Sequence, residues 1–220
     1  MGSLALISTV RLGSTRLPDK MVKSFCDGST LAGRLADRLA KARLLYEFSE
    51  VGIAVHPGEL ELVNTVLNVN VPVIFRSDKS SKSDKLIDIF DFLENMTSDY
   101  IMWINGSNPI LKPETIAGAA SYWFCDKPYG CTAVKVNKSW MWDGNRNILS
   151  FAKSGKTQDS EVFYEATHSF HIFSRRHLLT TGEYWIDKGP DLFVVDKIEA
   201  TDIDTEDDFR YADYLISQGA

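Results

Sequence analysis

Strand-like and helix-like stretches alternate four times through the first half of the chain, and this alternation constrains the fold more than any other feature. Residues 4–10 (LALISTV) are a continuous apolar run with β-branched members, the pattern of a strand buried on both faces. Leu31, Leu35, Leu39 and Ala42 then recur at near-helical spacing, with Thr30 placed as an N-cap. A second strand is expected at 51–55 (VGIAV), ended by His56-Pro57-Gly58, and a helix at 59–67 (ELELVNTVL). A third strand follows at 71–75 (VPVIF), then a helical stripe of Leu86, Ile89, Phe90, Leu93 and Met96. Residues 100–104 (YIMWI) read as a fourth strand, and Pro113-Glu114 opens another helix where proline is tolerated. Short connections between alternating elements predict an α/β fold, a doubly wound and mainly parallel sheet in three layers. Such sheets bind ligands at the carboxyl ends of their strands.

The regularity fades after about residue 130. Residues 131–136 (CTAVKV) look like a strand, whereas 137–147 (NKSWMWDGNRN) are turn-rich and 154–161 (SGKTQDSE) are polar. An excursion at about 137–165 is expected to cover a site or form an oligomer contact. Strand character returns at 167–173 and 192–204, and Phe209, Ala212, Leu215 and Ile216 mark a closing helix. The chain, 1–220, reads as one domain.

A net charge of −6 argues against nucleic acid as a partner, so any anionic ligand must be met by a local cluster of cations. No apolar run approaches the ~18 residues of a membrane span. Cys26, Cys125 and Cys131 are odd in number and lack CxxC spacing, which fits free thiols in a reducing compartment. Residues 4–10 are too short for a secretory leader and run into basic residues, so a cytoplasmic location is expected. The four histidines form no zinc pattern. If their stretch is a strand, His168 and His171, three apart, would point to opposite faces, which argues against their pairing as metal ligands.

Two stretches carry chemistry. The first, RLGSTRLPDK (11–20), packs Arg11, Arg16 and Lys20 around Gly13, Ser14 and Thr15 directly after the first strand. It is neither a GxxxxGK[ST] nor a GxGxxG loop. It reads either as a basic turn stiffened by Pro18 or as a cradle for a triphosphate, and its position at a strand's carboxyl end favours the cradle. The second stretch is ATDIDTEDDF (200–209). Asp202 and Asp204 project to one side of an extended segment, where they repel each other unless a cation lies between them, and they suit Mg²⁺. Thr205 with Asp208 is a capping-box pattern for the last helix.

These residues resemble a family. RLGSTRLPDKMV is similar to the N-terminal signature of the bacterial sugar-acid cytidylyltransferases, the acylneuraminate and 3-deoxy-manno-octulosonate group. DIDTEDDFRYA resembles that family's C-terminal metal motif, RSDKSSKSD its middle arginine motif, and QDSEVFYEATHSFHIF its sugar-pocket segment. The resemblance implies a nucleotide-diphospho-sugar transferase fold of Rossmann-like type, and transfer of CMP from CTP to a sugar acid with release of pyrophosphate. It also implies a place in polysaccharide synthesis. Arg11, Gly13, Ser14, Arg16 and Lys20 would wrap the triphosphate, with Arg16 and Lys20 as the catalytic cations. Arg76 and Asp84 would fall near the nucleotide, and Asp202 and Asp204 would hold Mg²⁺. Asn105, Gln158, Tyr164 and Glu165 are candidate sugar contacts. Ser107 stands where one branch carries a metal-binding acid, which is nearer the acylneuraminate branch, and Met21 replaces an asparagine frequent there. Relatives commonly pair through the region of the excursion, and Trp140 and Trp142 there predict a homodimer. Two alternatives stay open: a related nucleotidylyltransferase for another sugar or base, and a nucleotide-binding relative without activity.

Overall fold

Residues 2–124 and 129–220 are described by a computed structural model; Cys125 lies outside the described residues. The first strand, β1 (Leu4–Thr9), sets the architecture. Leu4 and Leu6 pack into one core cluster while Ala5 and Ile7 pack into another on the opposite face, so alternate residues of one strand serve two layers. After β1 come α1 (Leu31–Leu45), β2 (Glu50–Val55), α2 (Leu60–Asn68), β3 (Val73–Phe75), the short α3 (Asp78–Lys82) and α4 (Leu86–Ile89). A 3-10 turn (Asp91–Asn95) leads to β4 (Tyr100–Asn105) and α5 (Pro113–Phe124). The remainder holds β5 (Cys131–Asn137), β6 (Met141–Trp142), β7 (Ile148–Ser150), β8 (Phe163–Ser174), α6 (Arg175–Thr181), β9 (Asp191–Val194) and α7 (Glu206–Ser217).

Seven strands form one sheet in the order β3-β2-β1-β4-β8-β5-β9, with β8 antiparallel to both neighbours and the other pairs parallel. One face is covered by Leu35 and Leu39 of α1, Leu62 and Val66 of α2, Ile116 of α5 and Phe209 of α7. The other is covered by Phe90, Phe92, Leu93 and Leu178. The doubly wound, mainly parallel sheet read from the alternation is therefore the fold. From β1 the chain winds outward to β2 and β3, then returns to place β4 on the other side of β1. That reversal opens a crevice at the carboxyl ends of β1 and β4. Both anticipated caps form: Thr30 accepts from Gly33 N, and Thr205 and Asp208 make a capping box. No described helix is long and apolar enough to cross a membrane.

Three expectations are corrected. The stripe from Leu86 to Met96 is not one helix but α4 followed by the 3-10 turn. Phe90 and Phe92 are both buried there, and a continuous α-helix would point residues two apart in widely divergent directions. Strand character does not continue to residue 204: β9 ends at Val194, and the Asp196 carboxylate accepts from Ile198 N to begin a turn.

The third correction concerns His168 and His171, whose rings meet, with Nδ1 of His168 3.3 Å from Nε2 of His171. Thr132 and Val134 of β5 are opposite His171 and Ala166 of β8, so extra β8 residues bulge between them. His168 sits in the bulge with φ 53°, and this left-handed turn breaks the alternation that would separate the rings. A side chain held there costs about 1 kcal/mol relative to glycine.

The excursion contains the β6–β7 hairpin, where Trp140 packs on Phe151 with ring centroids 4.9 Å apart. Trp142, Ile148 and Phe151 are exposed beside it.

Candidate active site

The crevice holds a cavity of about 310 Å³. Arg11, Ser14, Arg16 and Lys20 line it from the loop after β1, Arg76 from the end of β3, and Trp103 and Asn105 from β4. The same register places the two strand ends together, Thr9 opposite Asn105. The loop is held in shape by Leu12 N, which donates to the Glu59 carboxylate at 2.7 Å, and by Arg11, which donates to the Ser81 carbonyl at 3.2 Å. Over Gly13 the space is open, since a Cβ added there would meet no atom within 4 Å. Gly13 itself lies outside the cavity wall.

The segment bearing Asp202 and Asp204 is fastened to the two loops it faces. Ile203 N donates to the Ser107 carbonyl (3.0 Å), and Asn108 Nδ2 donates to the Thr201 carbonyl (3.0 Å). Lys20 Nζ donates to the Ile203 carbonyl (2.7 Å) and lies 3.5 Å from Asp204. Arg16 reaches Asp204 at 2.7 Å. With Ile203 buried, the flanking Asp202 and Asp204 share the outward side, and Asn105 Nδ2 lies 3.4 Å from Asp202. The cations that relieve Asp204 thus come from the first loop. Asp202 is less well balanced: burial, then the Asp204 charge, push its carboxyl above the usual range. Among the described residues no group of three or more His, Cys, Asp and Glu side chains forms a metal cage, so these acids stand as a pair.

Arg76 is the buried cation of the site. Its Nε donates to the Ser80 hydroxyl at 2.9 Å and an Nη to the Ser80 carbonyl. Burial, then repulsion from Arg11, lower its pKa. The cavity wall carries Arg11, Arg16, Lys20 and Arg76 and, among the described residues, includes no Asp or Glu; Asp202 and Asp204 stand outside it. A bound polyanion would supply the balance.

Other anticipated residues stand elsewhere. Asp84 is almost fully exposed, 3.9 Å from Arg11 and outside the cavity wall. Gln158 lies on an exposed 3-10 turn of the excursion, away from the cavity. Glu165 pairs with Lys135 of β5 at 2.9 Å, and alternation along β8 points it opposite to Tyr164. Tyr164 lines a second, neighbouring cavity. Sequence reasoning missed Trp103, Phe90 and Tyr184 in the first cavity's wall, because an aromatic residue carries no signal separating wall from core; Met21, noted only as replacing an asparagine, lines the cavity too.

The cytidylyltransferase family model matches residues 5–205. The 3-deoxy-manno-octulosonate cytidylyltransferase of Brucella canis is 32% identical over 120 residues, 54% of this chain and 45% of that protein. Its counterpart in Francisella tularensis subsp. novicida is 26% identical over 120 residues, 54% of this chain and 46% of that protein. The chain spans about half the length of the curated relatives it matches. Among solved structures, a CMP:2-keto-3-deoxy-manno-octonic acid synthetase complexed with CTP aligns over 99% of this chain and 100% of that chain, at TM-score 0.69 and 13% identity. A 4-diphosphocytidyl-2C-methyl-D-erythritol synthase from Anaerococcus prevotii aligns over 98% of this chain and 96% of that chain, at TM-score 0.68 and 11% identity. These two likenesses concern the fold. With a match running from β1 to the cap of α7, the chain belongs to the cytidylyltransferase family.

Proposed function

We propose that the protein transfers CMP from CTP to a sugar acid and releases pyrophosphate. The observation that carries this reading is the convergence of Arg11, Arg16, Lys20 and the buried Arg76 on one cavity of a chain with net charge −6. Family membership and relatives named for 3-deoxy-manno-octulosonate support the cytidine base and the acid acceptor.

In this reading the acceptor hydroxyl oxygen bonds to the α-phosphorus, the bond from that phosphorus to the bridging oxygen breaks, and pyrophosphate leaves with the electron pair. The hydroxyl proton passes to water. Arg11, Arg16 and Lys20 hold the β- and γ-phosphates and stabilise the charge that gathers on the leaving group, Ser14 contributes a hydroxyl, and Arg76 fixes the nucleotide from below. Asn105 orients Asp202. The oxygen donors of Asp202 and Asp204, with the excess negative charge at Asp202, suit a hard divalent cation. These two acids would hold Mg²⁺, which supplies Lewis-acid charge neutralisation on phosphate oxygens.

A grid of the four nucleoside triphosphates against sugar acids, scored by pyrophosphate release, is expected to show turnover with CTP above ATP, GTP and UTP. Turnover of a sugar 1-phosphate with UTP or dTTP, and none with CTP, would overturn the assignment. We further place the enzyme in the cytoplasm as a homodimer joined at 137–165, where Trp142, Ile148 and Phe151 are exposed together. Light scattering at micromolar concentration is expected to give the mass of two chains, and the mass of one would refute the pairing.

A further inference from the structure

β2 runs into a four-residue turn, His56 to Glu59, closed by Glu59 N donating to the His56 carbonyl at 2.9 Å. None of the four lines the nucleotide cavity, yet their bonds reach both segments that supply Arg11 and Arg76 to it. At one end of the turn the Glu59 carboxylate holds Leu12 N of the loop after β1. At the other, Gly58 N donates to His56 Nδ1 at 3.1 Å, so the ring carries its proton on Nε2 and presents it to the Asp78 carboxylate 2.5 Å away. The bond from His56 is the foremost cause holding the Asp78 carboxyl below its usual range. Glycine at 58 leaves room for the ring, since a Cβ there would stand 3.1 Å from two of its atoms.

Asp78 opens α3, and consecutive residues of α3 support the two cavity arginines. Ser80 bonds Arg76 through its hydroxyl and its carbonyl, and the Ser81 carbonyl accepts from Arg11. A helix of five residues is too short to hold its own shape, so its anchors decide where those supports stand. Ser77 and Lys79 fasten it to Asp91 and Asp88, in the 3-10 turn and α4. His56 fastens it instead to the end of β2.

We propose that His56 is a positioning residue for polyphosphate binding: through Asp78 it sets the place of α3 against the first loop, so that Arg11 and Arg76 face one ligand. The nucleotidyl-transfer reading supplies the identity of that ligand as CTP, and the proposal rests on it to that extent. His56 touches no ligand. It acts by removing freedom that the two guanidinium groups would otherwise lose on binding. The pair is partly exposed, so its effect is moderate.

The test measures Kd for CTP and for inorganic tripolyphosphate by titration calorimetry, with melting temperatures and steady-state rates beside it. His56→Ala is expected to weaken both ligands about fivefold, and to raise KM for CTP more than it lowers kcat. Asp78→Ala should do the same, and the double variant no more than either alone, because the two side chains act as one unit. His56→Gln keeps a donor near the Nε2 position and is expected to bring both Kd values back to within about twofold of the wild type. A lower melting temperature with unchanged Kd values would make the pair merely structural and overturn the proposal. Additive losses in the double variant would overturn the route through Asp78. Unchanged Kd values in variants that still release pyrophosphate from CTP would overturn the positioning role and leave the transfer reading standing. Weakened tripolyphosphate binding in a protein that releases no pyrophosphate from CTP would support the positioning role and remove the transfer reading.

Discussion

Replacing either Asp202 or Asp204 by Asn is expected to lower Mg²⁺-dependent pyrophosphate release by about two orders of magnitude or more, with only partial recovery in excess Mg²⁺. Both substitutions keep the side-chain shape and remove one charge from the pair. Their effects on the metal-free protein are expected to diverge, because the two acids differ in surroundings. Asp204 is paired with Arg16 and Lys20, so Asp204→Asn should modestly destabilise. Burial and Asp204 raise the Asp202 carboxyl above 3.8, so folding favours its protonated form. Stability then falls as pH rises from 3.8 through the raised folded value, above which the penalty is complete. Asp202→Asn should therefore stabilise the metal-free protein at pH 7, with the gain fading below about pH 4. The measurements are melting temperature against pH without metal, and initial rate against Mg²⁺ concentration. Intact activity in both variants would end the metal reading.

Lys20→Ala is expected to reduce turnover about 10²-fold and also to weaken the fold. Its ammonium group is largely buried and bonds the Ile203 carbonyl at 2.7 Å, so the alanine removes a charge-assisted bond contributing about 1.5–3 kcal/mol and leaves Asp204 with Arg16 alone. Arg16→Ala should lose a similar factor in rate but at most about 1 kcal/mol in stability, since the Arg16 side chain is two-thirds exposed. Urea unfolding beside steady-state rates separates the two. Equal stability of the variants would deny Lys20 its role as a pin, and unchanged rates in both would return the loop to a solvated basic turn.

Much of what is local and periodic in this protein was legible in the sequence, the stripe from Leu86 to Met96 excepted. β1 reads as buried on both faces because Leu4, Ala5, Leu6 and Ile7 leave no polar side, and Thr30 and Thr205 announce their helices by chemistry confined to one turn. The basic loop and the Asp202–Asp204 pair were legible because charge in an unusual place is conspicuous. What escaped was decided by packing across the chain. Phe90 and Phe92 needed to be buried together, which no single helix achieves. The His168 bulge depends on a β5 register that the β8 sequence does not contain. The second cavity joins Tyr164, Tyr184 and Leu192 from separate segments. Gln158 and Glu165 were chosen by their place in a motif; Gln158 stands exposed and Glu165 pairs with Lys135.

The bond from Lys20 to the Ile203 carbonyl joins residues 183 positions apart, and this has a consequence for the order of assembly. Loop-closure entropy grows with separation, so contacts of this range form late, after neighbouring strands and helices have shortened the path. During synthesis the first loop leaves the ribosome early, and its cations wait for most of the chain to follow before their acids arrive. β1 through β4 can pair in that interval, but the crevice between them remains open on the side that residues 201–204 later close. Docking of α7, nucleated by its own capping box, is then the step that converts a folded sheet into a competent site, so nucleotide should protect the nascent chain only from that point onward.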